Sequence, residues 1–556
     1  MTAPPGVDVP FLVVGAGPTG LTAARLVAQA GVAVMVVERR DGPQRSPAAH
    51  VINARTLEIL RQAGFDMGAI GALAKPPADA GHVNFVTRLN GRLIGRLPFE
   101  QQGDDMLAVT PHPLRNISQH KLEPEMAAQV QRSPFVDLRY DTEWISSTQE
   151  GDTVVSLLRD TVTGAEVFVR SSWLVAADGA GSPVRKSCGI EMVGPAAIQS
   201  FVAVHFRGDL RRYTGDRPGA LHFVMDPAAN GTFIAHDIDR ESVFMFAFDP
   251  ASESLQNYDN LRCRDMVRAA IGDEEADVEV VGTGTWHMTA QVAETFRHGR
   301  VFLAGDAAHR FPPTGGMGLN TGVADVHNLV WKILFVENGS APLSILDTYE
   351  GERKAVAEVN SQQSLTNAFK MVILAGALDL HPGATGADLD AVLDDPSRAS
   401  GIAAAVEEQR THFDMLNLQL GYVYETPLNR GMVCAPGEID PTVFRPDGSV
   451  GKRLPHAWVG DGRSTLDSVG SSAMTLFSFG DHDAWADAVA SCTVPVKHVR
   501  VGIDIDPGAQ WGALCSVGAD GALLVRPDQH VAWSVELMPH DAPRALREAL
   551  AAALGS

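Results

Sequence analysis

The chain has 556 residues, 45% apolar and 20% charged, and its 67 acidic side chains outnumber 45 basic ones for a formal net charge of −22. A chain of this length and composition buries a large core and spans several domains, at roughly 100–200 residues each, while its acidity excludes nucleic acid or an anionic membrane as an electrostatic partner. Five scattered cysteines (Cys188, Cys263, Cys434, Cys492, Cys515) form no CxxC pair, which excludes a disulfide framework, a zinc site and a dithiol redox centre.

Residues 11–14 form an apolar strand, residues 15–20 a glycine-rich turn, residues 21–30 an alanine-rich helix, and residues 32–37 a second strand ending at Glu38. That order predicts a right-handed βαβ unit on a parallel sheet. A helix over 54–62 follows, stopped at Gly64. Residues 76–109 and 191–282 change character: β-branched and aromatic runs such as 201–206, 231–236 and 243–248 alternate with Asp, Gly and Pro turns. They predict an antiparallel sheet built from two separate stretches of chain. Helix-and-strand units return at 116–130, 173–177 and 301–334. The stretch 355–420 reads as helical, interrupted by a polar segment over 381–400, and a separate α/β unit with strands at 499–503 and 522–526 follows. Residues 1–9 carry no signal-peptide pattern and no late apolar run is long enough to cross a bilayer, so a cytoplasmic address is expected.

The first turn reads Gly15-Ala16-Gly17-Pro18-Thr19-Gly20, between two apolar strands, with Glu38 placed 18 residues after Gly20. Gly15 permits the tight turn, Gly17 lets a pyrophosphate reach the backbone, and Gly20 allows close helix packing. The following helix start supplies free N–H groups for phosphate, and Glu38 can accept hydrogen bonds from a ribose. A dinucleotide is therefore expected here. The turn alone does not separate FAD from NAD. A second constellation does: Gly305-Asp306-Ala307-Ala308-His309, then Pro312-Pro313-Thr314-Gly315-Gly316-Met317-Gly318-Leu319-Asn320. Asp306 ends an apolar strand where a polyol hydroxyl can be held, and a glycine-rich helix start stabilises developing negative charge.

These residues resemble the flavin motifs of the para-hydroxybenzoate hydroxylase superfamily, the group A flavoprotein monooxygenases. A third element, Ala177-Asp178-Gly179-Ala180-Gly181-Ser182-Pro183-Val184-Arg185, resembles the segment those proteins use for both FAD and nicotinamide. The tail, through Arg453-Leu454-Pro455-His456 and residues 524–530, is similar to the thioredoxin-like tail of the phenol and chlorophenol hydroxylase branch. Lacking CxxC, it is expected to be structural. The resemblance implies a mixed α/β fold in three parts. A Rossmann-like FAD-binding domain covers 1–75, 110–190 and 283–395, and a substrate-binding sheet domain covers 76–109 and 191–282. A helical linker over 396–430 leads to a thioredoxin-like domain over 431–556.

It also implies site roles. Gly15, Gly17, Gly20, Glu38 and Arg39 hold the adenosine and pyrophosphate; Gln119 and Asp178 touch FAD, and Trp144 offers its backbone to adenine. Asp306 binds the ribityl chain, and Gly318, Leu319 and Asn320 present N–H groups to the pyrimidine end of the flavin. Arg45 lies near a mobile flavin, and Pro313 lies beside the ring facing substrate. The implied reaction takes NAD(P)H, O2 and a small aromatic substrate, places one oxygen atom on the ring through a flavin C4a-hydroperoxide, and needs no metal. No second strand-turn-helix GxGxxG exists, so no separate nicotinamide domain is expected, and the resemblance implies that NAD(P)H binds in a surface groove. Histidines on the sheet, His222 and His236 foremost, are candidate bases for a phenol. No carboxylate clamp is recognisable, which favours a hydrophobic phenol over a benzoate. A monomer or homodimer is expected. The competing readings are a halogenase, disfavoured by the missing WxWxIP signature, a reductase on the same fold, and a non-catalytic flavin scaffold.

Overall fold

The computed structural model describes residues 8–99, 101–426, 429, 439–480 and 482–555. Its first sheet has four parallel strands around the wholly buried strand Val9–Val14. Val34–Val37 and then Val136–Arg139 lie on one side of it; Glu166–Ala176 and then Val301–Leu303 lie on the other. Strand order therefore reverses beside Val9–Val14, and at such a switch point the carboxyl ends of the strands open a ligand crevice. Gly15, Glu38, Ala177 and Gly305 follow these strand ends, so the three motifs, far apart in sequence, meet at one edge.

Two glycines of the first turn are sterically required, and the third leaves its backbone open. Gly15 has φ +103°, and a Cβ there would lie 2.2 Å from the Ala177 carbonyl oxygen. A Cβ on Gly20 would lie 1.9 Å from the Gly15 carbonyl oxygen, so only hydrogen lets helix Pro18–Gln29 sit this close. Gly17 faces open space, with nothing within 4 Å of the same position.

A seven-stranded sheet combines His82–Val86 and Leu93–Pro98 with five strands between Gln199 and Met288. Two corrections apply to the expected antiparallel sheet. Leu221–Val224 runs parallel to His82–Val86, because no hairpin joins those strands and direction is free. Strand Glu279–Met288 carries the sheet past residue 282. Strict alternation gives the sheet two faces. Val202, Val204, Phe206, Phe233, Phe244 and Phe246 are buried with Val267 and Ile271 of helix Asn260–Ile271. On the other face Phe201, Leu221, Phe223, Ile234, Met245 and Trp286 are only half-buried. The segment 381–400, expected to be irregular, contains helix Gly386–Asp394; Thr385 and Asp388 form a capping box that starts it.

The tail folds as Met474–Ser478, helix His482–Ala490, Val496–Arg500, then the hairpin Ala522–Val525 and Val531–Val535, closed by helix Ala542–Leu554. This βαβ–ββα order is thioredoxin-like. Where a redox thioredoxin places CxxC, residues 478–482 contain no cysteine. Cys515 is buried and burial pushes its thiol up to about 12, which suppresses thiolate chemistry. Cys434 lies outside the described residues. No helix among the described residues is long and apolar enough to cross a membrane.

The tail meets the first unit through buried charge as well as apolar packing, with Met474, Leu476 and Leu524 in one core with Leu329 and Trp331. Glu352 accepts two hydrogen bonds from Arg526 (2.6 and 2.8 Å) and one from Lys332 (2.7 Å). Burial alone would raise the Glu352 pKa, but Arg526 and Lys332 outweigh it and draw it from 4.5 to about 2. A carboxyl depressed in the folded state contributes stability that is complete above its unfolded pKa and is lost as pH falls through the folded one. Stability is therefore expected to fall between about pH 4.5 and about pH 2, read as near-ultraviolet dichroism, and Glu352→Gln should flatten that slope.

Candidate active site

At the adenosine end, Glu38 Oε2 accepts the Ala16 N–H at 3.1 Å, and Oε1 accepts the N–H and Nε of Arg40 at 3.1 and 3.0 Å. Burial opposes its charge, but the bonds from Arg40 and Ala16 hold its carboxyl below the usual range, so it is an acceptor at neutral pH. Arg40 also donates to Glu123 (3.1 Å), which accepts the Gln44 N–H (2.7 Å) and the Gln119 Nε2 (3.2 Å). Thus Arg40, which the sequence reading passed over, organises this end, while Arg39 is exposed and makes no hydrogen bond among the described residues. Trp144 is buried at a register shift in strand Thr142–Glu150, two residues beyond Thr142, whose N–H donates to the Glu38 carbonyl (2.9 Å). Arg45 is exposed on the following loop, paired with Asp41 at 2.8 Å.

At the other end, the loops carrying Asp306 and Asp178 lie side by side. The Asp306 side chain is open to solvent at the cleft but has protein packed around it, and this desolvation raises its pKa. It makes no hydrogen bond among the described residues. Asp178 is raised in the same direction by burial; one oxygen accepts the Val184 N–H at 3.2 Å and Oδ1 is buried without a partner. Two guanidiniums lie alongside: Arg185 donates to the Ala307 carbonyl at 3.0 Å, and Arg310 donates to the Ala180 carbonyl.

Helix Met317–Glu337 begins on Gly316, whose φ of +62° and contact with Val51 (a Cβ would sit 2.6 Å from its Cβ) exclude any larger residue. No side chain caps this helix, so the N–H groups of Met317, Gly318 and Leu319 have no partner within the helix. Asn320 has a different use from the one expected. At the fourth position its N–H enters the helical ladder. Its side chain donates to the Val51 carbonyl (2.9 Å) and accepts the Asn53 N–H (3.0 Å), pinning the neighbouring segment. Pro313 is exposed, while Pro312 is buried. Val51 shares an apolar cluster with Phe85, Leu221, Phe223 and Phe413, so the helix start opens onto the half-buried face of the sheet.

The two candidate bases part company. His222 pairs in register with Phe233 on the fully buried face; it donates to or accepts from nothing in the cleft, its Nε2 sits 3.2 Å from the Arg217 carbonyl, and burial draws its pKa to about 4. Its candidacy is withdrawn, because strand register turns it away from the site. His236 reaches the interface between the units, where Nδ1 lies 2.7 Å from Ser118 Oγ, beside Gln119. Burial, then Lys75, holds it well below 6.5, so it is neutral at pH 7. Missed from sequence were Asp325, Arg353 and Tyr424. Asp325 accepts the Gly305 N–H (3.0 Å) and faces His309 Nε2 (2.7 Å), and Arg353 donates to it at 2.8 Å. The available signal was a run of polar residues (Asp325, His327, Asn328, Lys332) inside an otherwise apolar helix, all of them buried.

Open backbone at Gly17, an acceptor for ribose at Glu38, and unpartnered carboxylate oxygens at Asp306 and Asp178 fit a dinucleotide that carries a polyol. Fold and site together define an FAD-binding oxidoreductase. Residues 8–364 match the family model for an FAD binding domain, and residues 445–556 match that for the aromatic-ring hydroxylase C-terminal region. The tetracenomycin A2 monooxygenase-dioxygenase of Streptomyces glaucescens is 33% identical over 98% of this chain and 96% of its own. The 2,4-dichlorophenol 6-monooxygenase of Cupriavidus pinatubonensis is 31% identical over 99% and 97%. Among solved structures, the flavin-dependent monooxygenase PieE in complex with FAD and substrate superposes with a TM-score of 0.90 at 32% identity, covering 99% of this chain and 100% of that one. The chain belongs to the FAD-dependent aromatic-ring hydroxylases.

Proposed function

We propose that this monooxygenase takes its electrons from NAD(P)H and hydroxylates a hydrophobic phenol, including fused-ring phenols of polyketide type. The observation that carries the reading is the junction of the uncapped helix start at Met317–Leu319, through Gly316 and Val51, with the apolar sheet face at Leu221, Phe223 and Phe413. A flat apolar ring fits that face, and relatives are named for tetracenomycin A2, 2,4-dichlorophenol and a polyketide. Gly15, Gly17, Gly20, Glu38, Arg39, Gln119 and Trp144 hold the adenosine half, and Asp178 and Asp306 hold the central part. When bound, FAD supplies the activation of O2 for transfer of one oxygen atom to the ring. The chain's own residues orient the ring, exclude water and favour anionic charge at the uncapped helix start, by about 0.3–2 kcal/mol. His236, neutral and fixed through Nδ1 by Ser118, takes the phenol proton on Nε2. Exposed Arg45, on the loop beside the adenosine end, leaves room for flavin movement toward NAD(P)H.

The test is one assay. NAD(P)H oxidation should be slow alone and strongly stimulated by the right phenol, and product made under 18O2 should carry label while product made in H2 18O should not. His236→Gln should retain FAD and lose hydroxylation by about 100-fold or more. A new oxygen drawn from water would overturn the oxygenase reading, and an unaffected His236 variant would overturn the base.

A further inference from the structure

The tail segments singled out by sequence, Arg453 to His456 and residues 524–530, do not face solvent. They insert into the FAD-binding unit. Arg526 is 4% exposed and bonds both Glu352, at 2.6 and 2.8 Å, and Asp528, at 2.6 Å. Asp528 in turn accepts from Asn328 at 3.2 Å, and Asn328 also donates to Glu352 at 2.6 Å. The residue after Glu352 is Arg353, wholly buried, which donates to Asp325 (2.8 Å), to the Thr321 carbonyl (3.2 Å) and to the Tyr424 hydroxyl (3.1 Å). Tyr424 is held by the tail: its ring lies 4.2 Å from that of His530 and 5.1 Å from the Arg526 guanidinium. Asp325 then fixes both ends of the loop carrying Asp306, through the Gly305 N–H and His309.

A second arm runs beside the first. Arg453 donates to Glu58 at 2.8 Å, while Arg55 donates to the Gln529 side chain (2.6 Å) and the Asp528 carbonyl (2.8 Å). Arg55 and Glu58 lie on helix Ala54–Gln62, whose N-cap, Asn53, donates its N–H to Asn320 in the first turns of the cofactor-facing helix. Both arms are made of buried charged groups with fixed partners. Apolar contacts slide, but a buried ion pair is costly to displace, so the arms hold one geometry.

We propose that the thioredoxin-like tail is a positioning part of the FAD site: through Arg453 and Arg526–His530 it sets the Gly305–His309 loop and the start of helix Met317–Glu337. The tail supplies no CxxC pair; it supplies the counter-charges that make two remote loops rigid. Asp325, Arg353 and Arg526 are positioning residues acting through that lattice. Reciprocity follows, because a tail that tightens FAD binding must itself be tightened by FAD.

The full-length protein tests this in two ways. Hydrogen exchange of the wild type with and without FAD should show slower exchange over 522–535 when FAD is bound; identical exchange there would overturn the proposal without any variant. Asp325→Asn should weaken FAD binding about 10-fold or more, and Arg526→Gln about 2- to 30-fold, measured by flavin fluorescence. The double variant should lose less than the product of the two, and each should shift the reduction potential of bound flavin. Arg500→Gln, an exposed tail arginine paired with Asp504, should leave FAD affinity unchanged. Variants that melt earlier yet bind FAD with native affinity and potential would reduce the tail to a structural role and sink the proposal. Loss of FAD affinity in Arg500→Gln would do the same, by showing a non-specific effect.

Discussion

Glu58→Ala is expected to destabilise the protein by about 3–5 kcal/mol, the cost of leaving buried charge unpaired. The Glu58 side chain is fully buried and accepts from Arg453 (2.8 Å), Arg55 (3.1 Å) and Thr110 (2.7 Å). Burial opposes its ionisation, yet Arg453 and Arg55 outweigh burial and hold its carboxyl below the usual range. Removing it leaves two buried guanidiniums without a paired carboxylate among the described residues. Urea or thermal unfolding of the FAD-loaded protein measures the loss. Glu58→Gln should lose less, because an amide oxygen still accepts one of the bonds. A variant as stable as the parent would mean that water enters this seam freely.

Asp306→Ala should weaken FAD binding about 10- to 100-fold, the value of a charge-assisted hydrogen bond of about 1.5–3 kcal/mol. Its carboxylate has no protein partner among the described residues, so its removal leaves no orphaned donor and the fold should persist. Equilibrium dialysis or quenching of flavin fluorescence gives the affinity, and circular dichroism gives the fold. If affinity is unchanged, Asp306 serves only the short turn Gly305–Ala307.

Much of the site was legible because its chemistry is local. Within six residues, a positive φ requires glycine at Gly15 and the Gly15 carbonyl requires it at Gly20, while Gly17 leaves its backbone open. The uncapped helix start after Gly316 is likewise written in consecutive residues. The histidines were not legible. His222 and His236 both sit on sheet strands, and which one meets the flavin unit depends on register, where a shift of one residue exchanges the faces. A register shift between Ala235 and Asp237 further separates pattern from position at His236. The Arg39–Arg40 choice was similarly open: adjacent arginines are equivalent in sequence, and only the fold turns Arg40 onto Glu38 and Glu123.

By itself the sequence determined the FAD-binding turns, the order of the three units and the absence of a tail dithiol, since each depends on residues close together in the chain. Only the tertiary structure decided how the tail is joined to the cofactor site. Arg526 with Glu352, Arg453 with Glu58 and Arg353 with Asp325 are partners chosen in space. A buried ion pair is defined by what the surrounding protein excludes, and no local pattern of charges carries that information.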